Sequence, residues 1–335
     1  MQPLPNESQA GFRRGRGAVY AGWRNKVSVL KQTWAQRLEE SWPGEILRDV
    51  PMAQWCTMKV GGPARLLALP ASLEELEQLL GMVRELGVPW EVMGAGSNIL
   101  FSDQGFDGVI ISLGRKFSAI SRVDGDRDGK VKVRVEAGCS LMKLVNWCTA
   151  QGFAGLEFAA GIPGSVGGAI SMNAGAWGGE VSEVIEAVTF VTAAGVLEQR
   201  VQAELSFFYR RLERHGMIVV GGDFLLTAND SARIAQRVRE AIENRKKKQP
   251  QAVASAGSFF KNPPGDAAGR LIEAAGLKGY CLGEAMVSPV HANFIINNGR
   301  ARAGDIVALM RIVQEKVRER FGIMLEPEVS FMGDW

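Results

Sequence analysis

Two glycine-rich segments of the sequence have a residue spacing suited to binding a nucleotide through the protein backbone. The segment MGAGSN (93–98) follows the strand-like sequence PWEV, and GIPGSVGGAISMNAGAWGG (161–179) has no charged side chain. Glycine is costly to order, so such clusters indicate turns with positive φ or close approach of a ligand to the main chain. A GxG turn after a strand lets backbone N–H groups approach a diphosphate. We therefore predict that both segments bind one dinucleotide, a flavin nucleotide.

The first segment differs from the fingerprint of Rossmann dinucleotide-binding domains. That fingerprint needs a third glycine and then a helix, whereas here the sequence continues as ILFSDQGFDG (99–108). On its own the GxG turn is therefore a weak indication, and it gains weight only from the second segment. The alternative, in which both segments form nothing more than tight turns, stays open at this point.

Length and composition exclude several classes of protein. The chain has 335 residues, a formal net charge of +3, and hydrophobic and charged fractions of 46% and 22%, which is typical of a globular protein. The basic run RKKK (245–248) is interpreted as a solvated helix end rather than a nucleic-acid site. No apolar run reaches the roughly 18 residues that a membrane span needs. The polar N-terminus lacks the apolar region of a secretory signal, so we expect a cytoplasmic protein.

Histidine and cysteine are too few, or too widely spaced, for most metal sites. The two histidines, His215 and His291, exclude a zinc site of several histidines, and neither lies near a GxSxG motif of serine hydrolases. The four cysteines form no CxxC pair. We therefore predict no metal and no disulfide framework, and we expect buried free thiols.

Hydrophobic periodicity and turn residues predict an α+β chain with two structural domains. Residues 1–45 are predicted to be an N-terminal extension, partly disordered, with helical spacing towards its end. A larger domain follows over 46–228 and a smaller α/β domain over 229–335. The predicted helices are 25–42, 72–87, 140–152, 230–250, 266–276 and 303–322. The predicted strands lie at 64–70, 89–102 (around a turn), 108–113, 130–138, 184–195, 217–226, 284–287, 292–296 and near 325–332.

Eight segments, in this order along the chain, carry a family resemblance that covers about residues 50–332. They are TMKVGGPA (57–64), MGAGSNIL (93–100), AGIPGSVGGAISMNAGAWG (160–178), YR (209–210), GSFFKNP (257–263), AGRLIEAAGLKG (268–279), VSPVHANFIIN (287–297) and LEPEV (325–329). Together they resemble the UDP-N-acetylenolpyruvoylglucosamine reductase (UDP-N-acetylmuramate dehydrogenase) family. Members of this family are flavoenzymes of bacterial peptidoglycan precursor synthesis.

The resemblance implies an architecture and a set of ligands. It implies a two-lobed FAD-binding domain of the vanillyl-alcohol-oxidase (PCMH) type, with lobes at about 46–115 and 116–228, followed by a smaller substrate-binding domain. It also implies non-covalently bound FAD, NADPH as hydride donor and a UDP-sugar enolpyruvyl ether as substrate. The sequence does not determine the oligomeric state and is compatible with a monomer.

The implied reaction makes chemical demands that can be stated directly. NADPH reduces the flavin, which then transfers a hydride to C3 of the enolpyruvyl vinyl ether. The electrons move into the carboxylate, so positively charged or hydrogen-bond-donating groups must already be positioned beside it. The neighbouring carbon, C2, then needs a proton from a well-placed acid. The cofactor supplies the redox step, and the protein supplies placement and electrostatics.

Three residues match the catalytic positions of the family. Arg210 resembles the arginine that stabilises the enolate carboxylate, a role that suits its planar guanidinium. Ser258 resembles the proton donor, and Glu328 resembles the catalytic glutamate, which either orients the carboxyl group or relays a proton. Taken without the motifs, Ser258 would be interpreted as a turn residue and Glu328 as a surface residue at the start of a strand.

The resemblance also assigns binding residues. The expected FAD contacts are Gly94, Gly96, Ser97, Asn98, Gly161, Pro163, Gly164, Ser165, Gly168 and Asn173. The expected contacts to the diphosphate, the sugar or the nicotinamide are Tyr209, Lys248, Lys261 and Asn262.

The sequence departs from the family pattern in several places. One branch of the family has an insertion whose tyrosine covers the substrate, but MIVVGGDFLLTANDSARIAQ (217–236) leaves no room for it. The chain therefore resembles the shorter branch, and its substrate cover must come from elsewhere. Leu212 stands where a small polar residue is usual, and Met58 and Lys59 stand where an aromatic residue and an arginine are usual. The first forty or so residues have no counterpart.

Two other functions compete with the reductase. A flavin-dependent sugar or alcohol oxidase on the same fold often carries flavin bound covalently to histidine or cysteine. Residues 57–214 contain no histidine, and neither Cys139 nor Cys148 lies in a glycine segment. A non-catalytic flavin-binding protein would be expected to lack Arg210, Ser258 or Glu328, yet all three are present. The reductase is therefore the preferred hypothesis.

Overall fold

The computed structural model describes residues 33–114, 116–127 and 129–335. The predicted disordered arm and the first part of predicted helix 25–42 lie outside the described residues. No helix in the described part of the chain is both long enough and apolar enough to cross a membrane. The helices are α1 (Trp34–Ser41), α2 (Leu73–Leu86), α3 (Leu141–Gln151), α4 (Val166–Ser171), α5 (Ser231–Lys248), α6 (Ala268–Ala274) and α7 (Ala303–Phe321).

Twenty strands, many of them short, accompany these helices in the described ranges. They are β1 (Glu45–Pro51), β2 (Pro63–Leu69), β3 (Trp90–Met93), β4 (Ile99–Phe101), β5 (Phe106–Ser112), β6 (Ile120–Arg127), β7 (Lys130–Glu136), β8 (Phe153–Ala154), β9 (Gly175–Ala176), β10 (Gly179–Glu180), β11 (Ile185–Val191), β12 (Leu197–Val201), β13 (Phe207–Phe208), β14 (Arg211–Leu212), β15 (Ile218–Ala228), β16 (Ala254–Ser255), β17 (Cys281–Leu282), β18 (Ala285–Val287), β19 (Ile295–Asn297) and β20 (Ser330–Met332). The predicted strands and the predicted helices within these ranges are confirmed, with ends shifted by a few residues, whereas β1, β6 and β12 were not predicted.

The first sheet has the order β1-β2-β5-β3 and is packed against α1 and α2. Strands β2 and β3 run parallel to β5, and β1 is antiparallel to β2. Helix α2 begins where Ser72 Oγ accepts a hydrogen bond from Glu75 N (3.2 Å) and ends at Gly87, which has φ 64°. The buried face of α2 consists of Leu76, Leu79, Leu80 and Val83.

The second sheet has the order β12-β11-β15-β7-β6, is antiparallel, and shares a core with α3, α4 and α5. Strand β15 ends at Ala228 and α5 begins at Ser231, so the insertion of the longer family branch is absent here. Asp230 is the N-cap of α5, because its Oδ1 accepts hydrogen bonds from Ala232 N (2.7 Å) and Arg233 N (3.1 Å).

The third sheet, β16-β19-β18-β17, packs against α6 and α7. After α7 the chain returns to the first part of the molecule, where β20 pairs in parallel with β4. Asp103, just after β4, accepts hydrogen bonds from the backbone N–H groups of Ala303 and Gly304 (2.9 Å each) at the start of α7. The C-terminal segments are thus fixed against the MGAGSN turn, while the limits predicted for the domains, 46–228 and 229–335, stay a prediction.

Candidate active site

A large cleft lies between the glycine-rich segments and the C-terminal sheet. Its volume is about 1850 Å³, more than the roughly 300–1,000 Å³ of a pocket for one small ligand. The cleft therefore has room for a dinucleotide and a second ligand together. Every residue predicted to contact cofactor or substrate lines this cleft except Asn173.

The two glycine segments face each other across one wall of the cleft. Ser97 Oγ donates a hydrogen bond to Pro163 O (3.1 Å). A Cβ atom at Gly94 would stand 2.5 Å from Ser165 Oγ, and one at Gly164, which has φ 134°, would stand 3.0 Å from Ser97 Oγ. Part of the glycine content is therefore explained by the contact between the two loops, which leaves bare main chain facing the cleft.

Asn173 holds the second glycine segment in place from behind the cleft. Its side chain is buried, with Nδ2 donating to Glu180 Oε1 (2.9 Å) and to Phe208 O (3.1 Å). Its Oδ1 accepts a hydrogen bond from Ser182 N (2.9 Å). The amide thus links the glycine segment to the chain just before Tyr209 rather than projecting towards a ligand.

Arg210 occupies a tight turn between β13 and β14 and points into the cleft. Its backbone has φ 58°, its Nη2 donates to Gly175 O (2.9 Å), and its Nε lies 3.3 Å from Glu328 Oε1. The guanidinium also stacks 4.7 Å from the centroid of the Tyr209 ring. These contacts orient the guanidinium and leave Nη1 without a partner among the described residues.

Ser258 and Glu328 lie on two chain segments that pair antiparallel. Phe260 and Pro327 form the bridge between the segments, and Glu328 N donates to Phe259 O (2.9 Å). Asn98 Nδ2, from the MGAGSN turn, donates to Glu328 O (3.1 Å). The structure therefore brings the predicted catalytic residues together and connects them to the predicted cofactor loop.

Burial and charge act in opposite directions on Glu328. Its side chain is 16% exposed, and this burial raises the pKa of the Glu328 carboxyl above its ordinary value. The positive charges of Arg210 and Lys261 act the other way and reduce the rise. The ionised carboxylate is thus costly here unless the nearby cations accompany it.

The hydroxyl group of Ser258 makes no hydrogen bond within the described part of the chain, so it is available to a ligand. The backbone next to it is fixed because Asn293 forms hydrogen bonds with the two residues that follow, Phe259 and Phe260. Phe259 N donates to Asn293 O (2.7 Å), Phe260 N donates to Asn293 Oδ1 (2.9 Å), and Asn293 Nδ2 donates to Phe260 O (2.8 Å). The segment VSPVHANFIIN contained Asn293, but nothing in its local sequence revealed this role.

The four predicted substrate contacts line the same cleft as the predicted catalytic residues. Lys261 Nζ forms an ion pair with Glu326, and Asn262 Oδ1 accepts a hydrogen bond from Ala268 N (3.0 Å) at the start of α6. Tyr209 is exposed. Lys248, at the end of α5, places its Nζ 5.4 Å from the centroid of the Trp177 ring.

Arg245 lines the cleft although its sequence context gave no sign of this. Its side chain packs against Gly161, where a Cβ atom would lie 3.0 Å from Arg245 Cδ. Burial lowers its pKa, and its Nε is buried without a hydrogen-bond partner among the described residues. The interpretation of RKKK as a solvated helix end is therefore wrong at Arg245, whereas Lys246, Lys247 and Lys248 are exposed as expected.

The residues present fit a bound FAD. The bare backbone at Gly94 and Gly164 faces the cleft, and the buried Nε of Arg245 is a donor without an acceptor in the protein. A dinucleotide supplies acceptors for that donor and planar rings for the apolar walls. Within the described ranges, no three His, Cys, Asp or Glu side chains lie together as metal ligands.

The cysteine side chains are all free thiols. Cys56, Cys139 and Cys148 are buried, as predicted, but Cys281 is exposed. Cys56 lies under the MGAGSN turn, where burial raises the pKa of its thiol to about 11. A neutral thiol is a poor nucleophile, which agrees with non-covalent attachment of a flavin.

Comparison with known proteins identifies both parts of the chain. The family model described as "UDP-N-acetylenolpyruvoylglucosamine reductase, C-terminal domain" matches residues 249–332, and the model described as "FAD binding domain" matches residues 64–199. These matches confirm the predicted fold class, with an FAD-binding domain followed by a smaller C-terminal domain, and they confirm FAD as the cofactor.

Whole-chain relatives agree with the family models. The UDP-N-acetylenolpyruvoylglucosamine reductase of Geotalea uraniireducens is 43% identical over 89% of this chain and 97% of its own length. That of Geobacter sulfurreducens is 42% identical over 90% and 98%. The crystal structure of the corresponding reductase from Thermus caldophilus superimposes with a TM-score of 0.72 at 37% identity, covering 86% of this chain and 98% of that one. The chain belongs to the UDP-N-acetylenolpyruvoylglucosamine reductase family.

Proposed function

We propose that this protein reduces UDP-N-acetylglucosamine enolpyruvate to UDP-N-acetylmuramate with NADPH, in peptidoglycan precursor synthesis. The observation that carries the proposal is the convergence of Arg210, Ser258 and Glu328 at one cleft with the glycine loops, where Arg210 Nε lies 3.3 Å from Glu328 Oε1. Bound FAD supplies the redox chemistry, taking a hydride from NADPH and passing it to the enolpyruvyl group. The protein orients the substrate, stabilises the developing negative charge and supplies the proton.

The FAD-binding wall consists of the two glycine segments. We assign the contacts to Gly94, Gly96, Ser97, Asn98, Gly161, Pro163, Gly164, Ser165 and Gly168, which all line the cleft. Asn173 is assigned a supporting role, because its amide is saturated by Glu180, Ser182 and Phe208. Arg245 is added as a cation that faces the anionic parts of the dinucleotide.

Arg210 is assigned to the substrate carboxylate. Hydride addition at C3 of the enolpyruvyl group sends an electron pair into that carboxylate, and a fixed guanidinium stabilises the charge as it develops. Gly175 O and Glu328 hold the guanidinium before the substrate arrives. Catalysis then needs little reorganisation at this position.

Ser258 is assigned as the proton donor to C2. Its hydroxyl has no competing acceptor in the described part of the protein, and the backbone on which it stands is fixed by Asn293. Proton transfer from a serine to carbon requires a strongly basic acceptor, which the aci-enolate provides. Glu328 is assigned to hold Arg210 and the substrate carboxyl group, either as a carboxylate shared with Arg210 or as a neutral donor.

The remaining cleft cations suit the rest of the substrate. Lysine binds phosphate as a point charge, so Lys248 and Lys261 are assigned to the diphosphate, with Tyr209 and Asn262 at the sugar. NADPH and UDP-activated sugars are metabolites of the cytoplasm, which supports a cytoplasmic location for the reaction. A monomer is sufficient for this account, because each assigned residue comes from one chain.

The experiment that tests the proposed function follows both substrates to product. FAD-loaded protein is mixed with NADPH and UDP-N-acetylglucosamine enolpyruvate, and NADPH absorbance and product mass are recorded. We expect equimolar loss of NADPH and a product heavier than the substrate by two hydrogen atoms. Oxidation of NADPH only in the presence of oxygen, with the enolpyruvyl sugar unchanged, would instead support the oxidase or the non-catalytic flavoprotein.

A substitution at Gly164 tests the assigned cofactor loop. At φ 134° an alanine is strained, and its Cβ would press on Ser97 Oγ. We expect Gly164→Ala to raise the Kd for FAD at least tenfold, about 1.4 kcal/mol, in a fluorescence titration of the apoprotein.

Gly81→Ala in α2 is the control, because its Cβ meets nothing within 4 Å. It should bind FAD normally and be stabilised by about 0.5–1 kcal/mol. Normal FAD binding by Gly164→Ala would refute the assignment.

The raised pKa of Glu328 predicts a pH-dependent stability. The folded protein holds the Glu328 proton more tightly than the unfolded chain, so this residue favours folding at low pH, and the benefit is lost as pH rises through the folded pKa. In urea unfolding, the free energy of unfolding of wild type minus that of Glu328→Gln should therefore decrease as pH rises. The slope should reach at most about 1.4 kcal/mol per pH unit. A difference that shifts in favour of wild type would show that Arg210 dominates.

A further inference from the structure

The hairpin formed by β9 and β10 places a tryptophan at the mouth of the cleft. Trp177 and Gly178 are its two turn residues, and both have positive φ, 57° and 86°. This backbone pattern belongs to the type I′ turn, which favours asparagine, aspartate or glycine. A tryptophan here is strained, and such strain points to a task for the side chain beyond forming the turn.

The indole of Trp177 is a flat apolar surface on the cleft wall. The residue is 46% exposed, although it lines the cleft. Its ring is accompanied by a cation, since Lys248 Nζ lies 5.4 Å from the ring centroid. An aromatic face and an exposed ammonium side by side match a ligand that joins an apolar ring face to an anionic group.

The hairpin is tied to the catalytic arginine. Gly175, two residues before Trp177, accepts a hydrogen bond from Arg210 Nη2 (2.9 Å). On the other strand, Glu180 Oε1 accepts from Asn173 Nδ2 (2.9 Å), which also donates to Phe208 O (3.1 Å). The hairpin that carries the indole is therefore hydrogen-bonded to Arg210, the residue assigned to the substrate carboxylate.

We propose that Trp177 covers the sugar of the substrate, replacing the tyrosine insertion that this chain lacks. The indole packs against the apolar face of the N-acetylglucosamine ring, and Lys248 leaves the indole to pair with the diphosphate. In the substrate the carboxylate, the sugar and the diphosphate follow one another. Arg210, Trp177 and Lys248 present matching chemistry in the same order. This inference rests on the proposed function.

Two substitutions separate ligand binding from turn formation. Trp177→Asn suits the type I′ turn but removes the aromatic face, whereas Trp177→Phe keeps a smaller face. With FAD-loaded protein, we expect Trp177→Asn to weaken binding of UDP-N-acetylglucosamine about tenfold in calorimetry, with a similar rise in KM for the enolpyruvyl sugar. Trp177→Phe should lose about threefold. The melting temperature of Trp177→Asn should equal or exceed that of wild type.

NADPH provides the discriminating measurement. The Kd for NADPH and the rate of flavin reduction, both taken from anaerobic bleaching, should change less than about twofold in Trp177→Asn. Trp335 is the matched control, since it is 53% exposed and packs on Phe331 outside the cleft. Trp335→Asn should leave sugar binding unchanged.

Three outcomes would overturn the inference. Unchanged binding of UDP-N-acetylglucosamine by Trp177→Asn would show that the indole does not cover the sugar. A loss confined to NADPH would assign the indole to the nicotinamide nucleotide instead. A lower melting temperature with equal loss of both ligands would show a structural role. In each case turnover by wild type would be unaffected, so failure here is distinguishable from failure of the proposed function.

Discussion

Replacing Ser258 by alanine is expected to slow reoxidation of the flavin by the enolpyruvyl sugar while reduction by NADPH continues. The hydroxyl group is assigned to give C2 its proton, and a positioned general acid contributes typically about 10²–10⁴-fold to the rate. We therefore expect kcat to fall by about that factor. Anaerobic stopped-flow measurement separates the two half-reactions, because reduction bleaches the flavin band and reoxidation restores it.

The control for this variant is a serine without an assigned role. Ser330 is exposed on β20, and Ser330→Ala should retain both half-reactions. If Ser258→Ala slowed reduction by NADPH as much as reoxidation, Ser258 would be acting on the placement of the flavin. Wild-type rates in both half-reactions would remove Ser258 from the mechanism.

Exchanging Arg210 for lysine is expected to be nearly as damaging, although the charge is kept. The lysine ammonium group lacks the planar, forked arrangement of donors of a guanidinium. It therefore does not contact Gly175 O, Glu328 and a substrate carboxylate at the same time. Loss of one preorganised donor at a developing negative charge costs about 10²–10³-fold in kcat. The loss should appear in the reoxidation step and in kcat more than in KM.

Arg211 offers a matched control in the next position. Its guanidinium stacks 4.7 Å from the centroid of Phe208, and the residue is exposed. Arg211→Lys should therefore turn over at a rate close to that of wild type. Equal losses in Arg210→Lys and Arg211→Lys would mean that this turn needs guanidinium groups in general, and that Arg210 has no specific contact with the carboxylate.

Elements of local origin were predictable from the sequence. The start of α2 at Ser72 and its end at Gly87 follow from a cap and a left-handed glycine, which are properties of a few neighbouring residues. The strand at 130–138 follows from the alternation of valine with charged residues. The strand β1 was missed, because its burial pattern lacks such alternation and it is paired with β2 from a distance in the chain.

The catalytic residues were predictable only through the motifs that contain them. Nothing local to Ser258 or Glu328 reveals that their segments pair, or that Arg210 reaches Glu328 across more than a hundred residues. Asn293 and Arg245 were missed for the same reason. Their roles arise from backbone groups and loops that only the folded chain brings near them.

The glycine segments show where sequence reasoning stopped short. Their composition predicted a nucleotide-binding wall, and most of these residues do line the cleft, but it did not reveal that the two loops also pack on each other. Gly96 shows a further cause, because a Cβ atom there would stand 2.2 Å from Trp55 O, in a segment outside both loops. Bare backbone in this fold therefore serves close contacts within the protein as well as the approach of the cofactor that we propose.

The most direct test of the whole account is an anaerobic absorbance spectrum of the FAD-loaded protein. NADPH is added first, and UDP-N-acetylglucosamine enolpyruvate is added after the spectrum is stable. We predict that the flavin band bleaches with NADPH and returns in full with the enolpyruvyl sugar. A band that bleaches and stays bleached would contradict the assigned substrate, and a protein that binds no FAD would contradict the assignment of the glycine loops.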